Sequence, residues 1–101
     1  MAKGYWVVHV DVQDADAYKR YIEANAAALA KYGARFLVRG GRSVTVEGAF
    51  RARTVVIEFA DLATAEACYH SPEYEHARSL RQTASTADLI IVEGYDGPQP
   101  A

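Results

Sequence analysis

The sequence predicts an α+β fold in which a single four-stranded antiparallel sheet carries helices on one face, with the elements ordered strand, helix, strand, strand, helix, strand. Three observations predict it. Side chains alternate between apolar and mixed character from Tyr5 to Val12. A helical stripe then runs from Tyr18 to Tyr32 between an aspartate and a glycine. Finally, the β-branched run "TVVIEF" (54–59) is followed by a second capped helix and by the extended segment "ADLIIVEGY" (87–95).

Each element has its own local reason. In the first strand Trp6, Val8, Val10 and Val12 point one way and Tyr5, Val7, His9 and Asp11 the other, the period of two that a half-buried strand shows. Asp14 offers an N-cap, Tyr18, Tyr21, Ile22, Leu29 and Tyr32 recur at helical spacing, and Gly33 closes the helix. "ARFLVRGGRSVTVEG" reads as extended, with Gly40-Gly41 marking a bend or bulge that divides it and Gly48 turning into the next strand. Strands two and three are expected to form a hairpin, "TVVIEF" being the central strand. Asp61 caps a helix that places Leu62, Ala65, Cys68 and Tyr69 on one face.

The stretch "CYHSPEYEHAR" (68–78) stops that helix and starts another. Proline suits a first helical position because its missing N–H would be unpaired there, Ser71 can accept from an orphan amide, and Glu73 opposes the positive end of the helix dipole. The helix after Pro72 carries Tyr74, Ala77 and Leu80 inward in a weak amphipathic pattern and is expected to cover an edge or a mouth. This order of elements is the split βαβ arrangement of ferredoxin-like folds, with spatial strand order four-one-three-two. Trp6, Val8, Val10, Phe36, Val38, Val55, Ile57 and Phe59 are expected to face the helices. Residues 1–96 read as one domain and 97–101 as a flexible tail.

Composition narrows the function classes. The 101 residues suit one domain, and 50% hydrophobic with 24% charged residues is ordinary for a globular chain. A formal charge of -2 and a pI near 5.9 supply no basic surface for nucleic acid or anionic membrane. Cys68 is the only cysteine, so no internal disulfide forms and the cytoplasm is the expected compartment. The opening residues show no cleavage signal, and no run is long enough to span a membrane. His9, His70 and His76 lack metal-site spacing, so neither metal nor cofactor is expected.

The sheet face without helices collects Tyr5, Val7, His9, Asp11, Arg35, Leu37, Arg39, Val56 and Glu58, too apolar to be left wet. A second copy of the sheet is the simplest cover, so a homodimer is expected. His9, Arg39 and Glu58 fall on three adjacent strands of that face. Converging, they would combine a proton-exchanging imidazole, a carboxylate to orient it and a cation for an anion or enolate. As cross-strand pairs at a dimer seam they need no substrate.

Tyr69, Tyr74 and Arg78 surround the Ser-Pro step and offer a second pocket wall, or simply tyrosine packing with an exposed Glu75-Arg78 pair. Cys68 on an inner helix face reads as a small buried hydrophobe rather than a nucleophile. Arg35, Arg39, Arg42, Arg51 and Arg53 make strands two and three locally basic, which would attract an anionic small molecule.

The motifs "RGGR", "VEG", "RTVVIEF", "YHSPEY" with Arg78 following, and "VEGY" resemble the small bacterial family known as domain of unknown function 1330. The likeness runs from about Gly4 to Tyr95, and "SPEY" is its most specific part. That family is similar to the dimeric α/β-barrel superfamily of ferredoxin-like protomers, which implies a dimer. The wider superfamily includes small monooxygenases that need no cofactor, lactone isomerases and haem-dependent enzymes, so the resemblance implies no single reaction. By motif it marks Arg39, Glu58, Tyr69, Ser71, Glu73, Tyr74 and Arg78, while Cys68 stands where a bulkier aromatic is expected and would enlarge a pocket.

The expectation is therefore a cytoplasmic homodimer that binds a small anionic or carbonyl-containing molecule, as an enzyme of proton-transfer or monooxygenase type. His9 and Glu58 are the candidate catalytic pair. Arg39, Tyr69, Ser71, Tyr74 and Arg78 are the candidate substrate-binding residues. The alternative is a non-catalytic binding or regulatory module whose charged face serves assembly.

Overall fold

In the computed structural model, which describes residues 2–100, β1 (Gly4–Val12) buries Trp6, Val8 and Val10 on one face and leaves Tyr5, Val7, His9 and Asp11 on the other. Met1 and Ala101, the ends of the expected domain and tail, lie outside the described residues. The Asp14 carboxylate accepts the Ala17 N–H at 3.0 Å and so starts α1 (Ala15–Lys31). Gly33, at φ 65°, turns the chain out of it in the left-handed conformation that glycine adopts without a Cβ penalty.

Four strands, β1, β2 (Arg35–Arg39), β3 (Arg53–Phe59) and β4 (Ser85–Glu93), form one antiparallel sheet in the order β2-β3-β1-β4, the expected order read from the other edge. The second helical region is split at the Ser-Pro step. α2 (Leu62–Tyr69) starts where Asp61 accepts from the Thr64 N–H at 2.7 Å, and α3 (Pro72–Gln82) where the Ser71 hydroxyl accepts from the Tyr74 N–H at 3.2 Å. The architecture is ferredoxin-like.

The core lies between the sheet and the helices. Trp6 is its centre: its ring meets Tyr74 at 4.7 Å, Phe59 at 5.1 Å and Tyr69 at 5.9 Å, and its indole N–H donates to the Ala65 carbonyl at 2.9 Å. Each aromatic pair adds about 0.5–1.5 kcal/mol beyond the burial of its area. The indole bond satisfies the one polar atom the tryptophan brings inside. Gly4 is buried against the turn into α2, where a Cβ would meet the Asp61 carbonyl.

Four expectations need correction. The run after Gly40 is not a continuation of the second strand: residues 40–52 carry no strand, because Gly40 at φ 68° turns the chain away after donating its N–H to the Thr54 carbonyl. Val38 does not face the helices. Phe36 pairs with Ile57 but Val38 with Val56 and Arg39 with Val55, so Leu37 is an extra residue that inverts the strand's phase beyond it. Third, α3 is no rim cover. Tyr74 and Ala77 are fully buried, Arg81 nearly so, and the helix packs along α1. β4 also begins at Ser85, two residues before the expected start.

Candidate functional site

The bulge at Leu37 decides where the candidate residues go. Arg39, opposite Val55, lies on the helix side of the sheet, where its guanidinium stacks 4.1 Å from the centre of the Phe36 ring. His9 and Glu58 stay on the open side, but His9 pairs with Thr54 and Glu58 with Tyr5, four residues further along β1. At strand rise that is about 13 Å. The structure does not bring the trio together.

On the open face the mixed residues are engaged with each other. The Tyr5 hydroxyl donates to Glu58 at 3.3 Å, and the His9 Nδ1 lies 3.1 Å from the Thr54 hydroxyl. Arg51 donates to Asp11 and to Asp88 at 3.0 Å each, and the Ala52 N–H donates to Asp11 at 2.9 Å. That N–H first and the guanidinium second hold the Asp11 carboxyl below its ordinary range. These bonds strap residues 51–52 onto the open face and put Phe50 5.4 Å from the His9 ring, beside a cleft of about 450 Å³. The cleft has two carboxylates to one guanidinium, a poor field for an anion.

Arg39 instead borders a cavity between α1 and the sheet. Its walls are apolar or aromatic at Trp6, Val8, Ile22, Phe36, Val55 and Ile57. Its polar groups are Tyr18, Tyr21, Asn25, Arg39 and Arg53. The free volume is about 20 Å³, room for one water. Asn25 is 6% exposed, and its side-chain amide makes no hydrogen bond among the described residues. Among the described residues neither Arg39 nor Arg53 pairs with a carboxylate there. Arg53 lies 5.8 Å from the Tyr18 ring centre, fills the space a Cβ on Gly40 would take, and keeps its Nε buried without a partner. Burial first, then the neighbouring Tyr21, pushes the Tyr18 phenol above its ordinary value, so it stays a neutral donor.

Sequence reasoning missed Asn25, Tyr18 and Tyr21 as site residues. The signal was present: Asn25 is the one polar side chain at a stripe position of α1, four residues after Tyr21 and four before Leu29. A buried amide in an apolar stripe costs free energy unless something bonds it.

The residues of the Ser-Pro stretch are placed differently. The Ser71 hydroxyl donates to the Cys68 carbonyl at 2.7 Å as well as capping α3. Tyr74 sits in the core with its hydroxyl 2.9 Å from that of Tyr21. Burial first raises its pKa far above the ordinary phenol range. Arg78 donates to the Tyr69 hydroxyl at 3.1 Å, and Tyr69 borders an open groove of about 440 Å³ with Arg81 and Ser85. Glu73 pairs with Lys31 at 2.8 Å. Burial pushes the Cys68 thiol up to about 12, which keeps it un-ionised at neutral pH.

Among the described residues no helix is long and apolar enough to cross a membrane. A model of the family described as domain of unknown function (DUF1330) matches residues 3–95. No curated protein matches the chain in sequence. Among solved structures it is similar to a protein of unknown function from Rhodopseudomonas palustris, with TM-score 0.76 and 16% identity over 95% of this chain and 85% of that one. It is also similar to SnoaB, a cofactor-independent oxygenase from Streptomyces nogalater, with TM-score 0.63 and 13% identity over 99% and 97% of the two chains. A dimeric protein of unknown function and ferredoxin-like fold from Bacteroides fragilis gives TM-score 0.53 and 13% identity over 90% and 95%. At these identities the likeness carries the fold.

Proposed function

The chain belongs to the DUF1330 family, and from that footing we propose that it is a homodimeric, cytoplasmic protein that binds a small organic anion with an apolar body under α1. We further propose that it is an enzyme that holds the negative charge of its substrate's conjugate base. The observation that carries this reading is Asn25, a nearly buried residue whose amide is unbonded among the described residues, at a cavity where Arg53 also keeps a buried Nε without a partner.

The chemistry follows from those groups. Guanidinium and amide donors favour an oxyanion such as a carboxylate, enolate or phenolate, and the low polarity of Trp6, Phe36 and Ile57 strengthens each such bond. The step assigned here is ionisation: an acidic O–H of the substrate gives its proton to water and keeps the pair on oxygen, or an acidic C–H does so while its pair becomes a C=C bond and the adjacent carbonyl π pair moves to oxygen, the charged oxygen facing Arg39 and Arg53 in either case. That step is common to proton transfer and to oxygenation of an electron-rich anion by dioxygen. The fold likeness to a cofactor-independent oxygenase supports it at the level of scaffold. Because the free volume is one water, entry requires the two long arginine side chains at the mouth to swing aside; Arg39 is exposed and Arg53 half-buried.

Of the residues proposed from sequence, Arg39 remains as ligand-binding, while His9 and Glu58 are assigned to the assembled sheet face. Assembly is supported by a row of side chains that crosses all four strands on the open face: Val38, Val56, Val7 and Ile90. A second copy stacked there would cover it.

Trp6 is the only tryptophan and borders the cavity, so its fluorescence reports occupancy. Benzoate, 2-naphthoate and 4-nitrophenol are expected to quench it and to raise Tm, the stabilisation being about 2.7 kcal/mol at 100 times the Kd. Arg53→Met is expected to weaken carboxylate binding about tenfold while leaving naphthalene binding unchanged. No quenching by any of these compounds, or binding of 2-naphthoate by Arg53→Met and Asn25→Leu variants as tight as by the unaltered protein, would overturn the proposal.

A further inference from the structure

Behind the cavity wall three polar side chains form a line through the core. Tyr21 borders the cavity. Its hydroxyl lies 2.9 Å from that of Tyr74, a residue with no solvent exposure. The Arg81 guanidinium lies 5.8 Å from the centre of the Tyr21 ring, and its charge acts on the Tyr74 hydroxyl. Arg81 is 8% exposed and pairs with no carboxylate among the described residues.

The order of donors in this line follows from where a spare hydrogen can be used. A guanidinium has donors and no acceptor, so the Tyr74 hydroxyl turns its oxygen and not its hydrogen toward Arg81. One hydrogen of the hydroxyl pair is left over whichever donates; with Tyr74 donating, the spare hydrogen sits on Tyr21, which borders the cavity, and not on Tyr74, which has no exposure. The Tyr21 oxygen is thus an acceptor from Tyr74, and its own hydrogen is left over. Among its surroundings the cavity is where that hydrogen can meet a ligand. Each donor in the chain polarises the next, and the charge stands at the far end.

Resting on the binding reading above, we propose that Tyr21 is the hydrogen-bond donor to the charged oxygen of the bound anion. Tyr74 and Arg81 are its positioning residues, aiming and strengthening that donor from inside the core. The ligand class follows: an oxygen that is more basic than a carboxylate, such as a phenolate or enolate, gains most from a polarised neutral phenol. This arrangement explains why an arginine without a carboxylate is kept inside the protein.

The test uses 4-nitrophenol, whose phenolate absorbs in the visible, and measures the ratio of phenolate to phenol affinity from pH titrations of the free and bound probe. The unaltered protein is expected to prefer the phenolate. Tyr21→Phe should lower that preference about tenfold, the loss of one hydrogen bond to a charged oxygen. Tyr74→Phe and Arg81→Met should lower it by a smaller factor, and Arg81→Lys should retain most of it. Because Tyr21→Phe leaves the Tyr74 donor unpaired, the double variant Tyr21→Phe/Tyr74→Phe removes both hydroxyls and serves where the single variant is poorly folded. A purely structural role would move Tm and leave the affinity ratio alone. An unchanged ratio in the double variant overturns the relay while leaving the cavity reading standing; failure of 4-nitrophenol and 2-naphthoate to bind the unaltered protein overturns both.

Discussion

Arg39 stands opposite Val55 rather than Thr54, and this single step of register is what takes its guanidinium through the plane of the sheet to the cavity side. Two residues of β2, Leu37 and Val38, span the interval that one residue of β3 spans.

The bulge makes a prediction that runs against intuition. Deleting Leu37 would leave Phe36 opposite Ile57, Val38 opposite Val56 and Arg39 opposite Val55 in an unbroken ladder, so Arg39 keeps its side. Leu37 is 44% exposed and contributes little burial. The deletion variant is expected to fold and to bind 2-naphthoate within about threefold of the parent, since only the strand's local twist changes. Arg39→Ala is expected to lose about tenfold. Equal losses in both, read by Trp6 quenching, would mean that the strand phase and not the guanidinium sets the affinity.

The fold was legible in sequence because its signals are local. Asp14, Asp61 and Ser71 each precede a helix and each accepts the amide three residues on, as capping chemistry demands. Alternation in β1 gave its inner face correctly through Val10. The bulge was not legible, since nothing in "RFLVR" (35–39) differs chemically from a regular strand and the extra residue is chosen by pairing with β3. The site depended on that one residue, which is why a trio drawn from three strands came apart. The depth of α3 was hidden for another reason: Tyr74 and Arg81 carry polar tips, and only the partner hydroxyl on α1 makes their burial affordable.

Ser71 separates architecture from binding. Its hydroxyl accepts from the Tyr74 N–H and donates to the Cys68 carbonyl in a buried corner between α2 and α3. Ser71→Ala is expected to cost about 1–2 kcal/mol and to lower Tm by roughly 5–10 °C. The affinity for 2-naphthoate should stay within twofold once the protein is folded. A selective loss of affinity without a loss of Tm would place this hydroxyl in the ligand site.

The acid limb of stability follows from three carboxyls held below their ordinary values. Asp11 is held by the Ala52 N–H and Arg51, Asp61 by its Thr64 cap bonds, and Glu73 chiefly by Lys31. A depressed folded-state pKa means the stabilisation is complete above the ordinary values of 3.8 and 4.5 and is lost as pH falls through the folded values. Urea midpoints should therefore be flat from neutrality down to about pH 5 and fall below about pH 4.5. Asp61→Asn keeps a capping oxygen but cannot titrate, so its acid limb should be shallower. An acid limb identical to the parent's would show that the Asp61 cap does not contribute to it.

The proposed assembly uses the open face of the sheet. The row Val38, Val56, Val7, Ile90 is flanked by Arg35, Glu58, Tyr5 and Val92 on one side and by Thr54, His9 and Asp88 on the other. The polar members of both flanks are largely bonded to each other, so a partner need only cover the apolar row. Ile90 is 59% exposed, and changing it removes little from the protomer's own core. Ile90→Asp would bury a carboxylate at the centre of a twofold contact, where each copy repeats the penalty. In sedimentation equilibrium the parent is expected at twice 11.1 kDa and the variant at the protomer mass with Tm little changed. A parent that sediments as a single chain, or a variant that stays dimeric, would mean that the row Val38 to Ile90 is not where two copies meet.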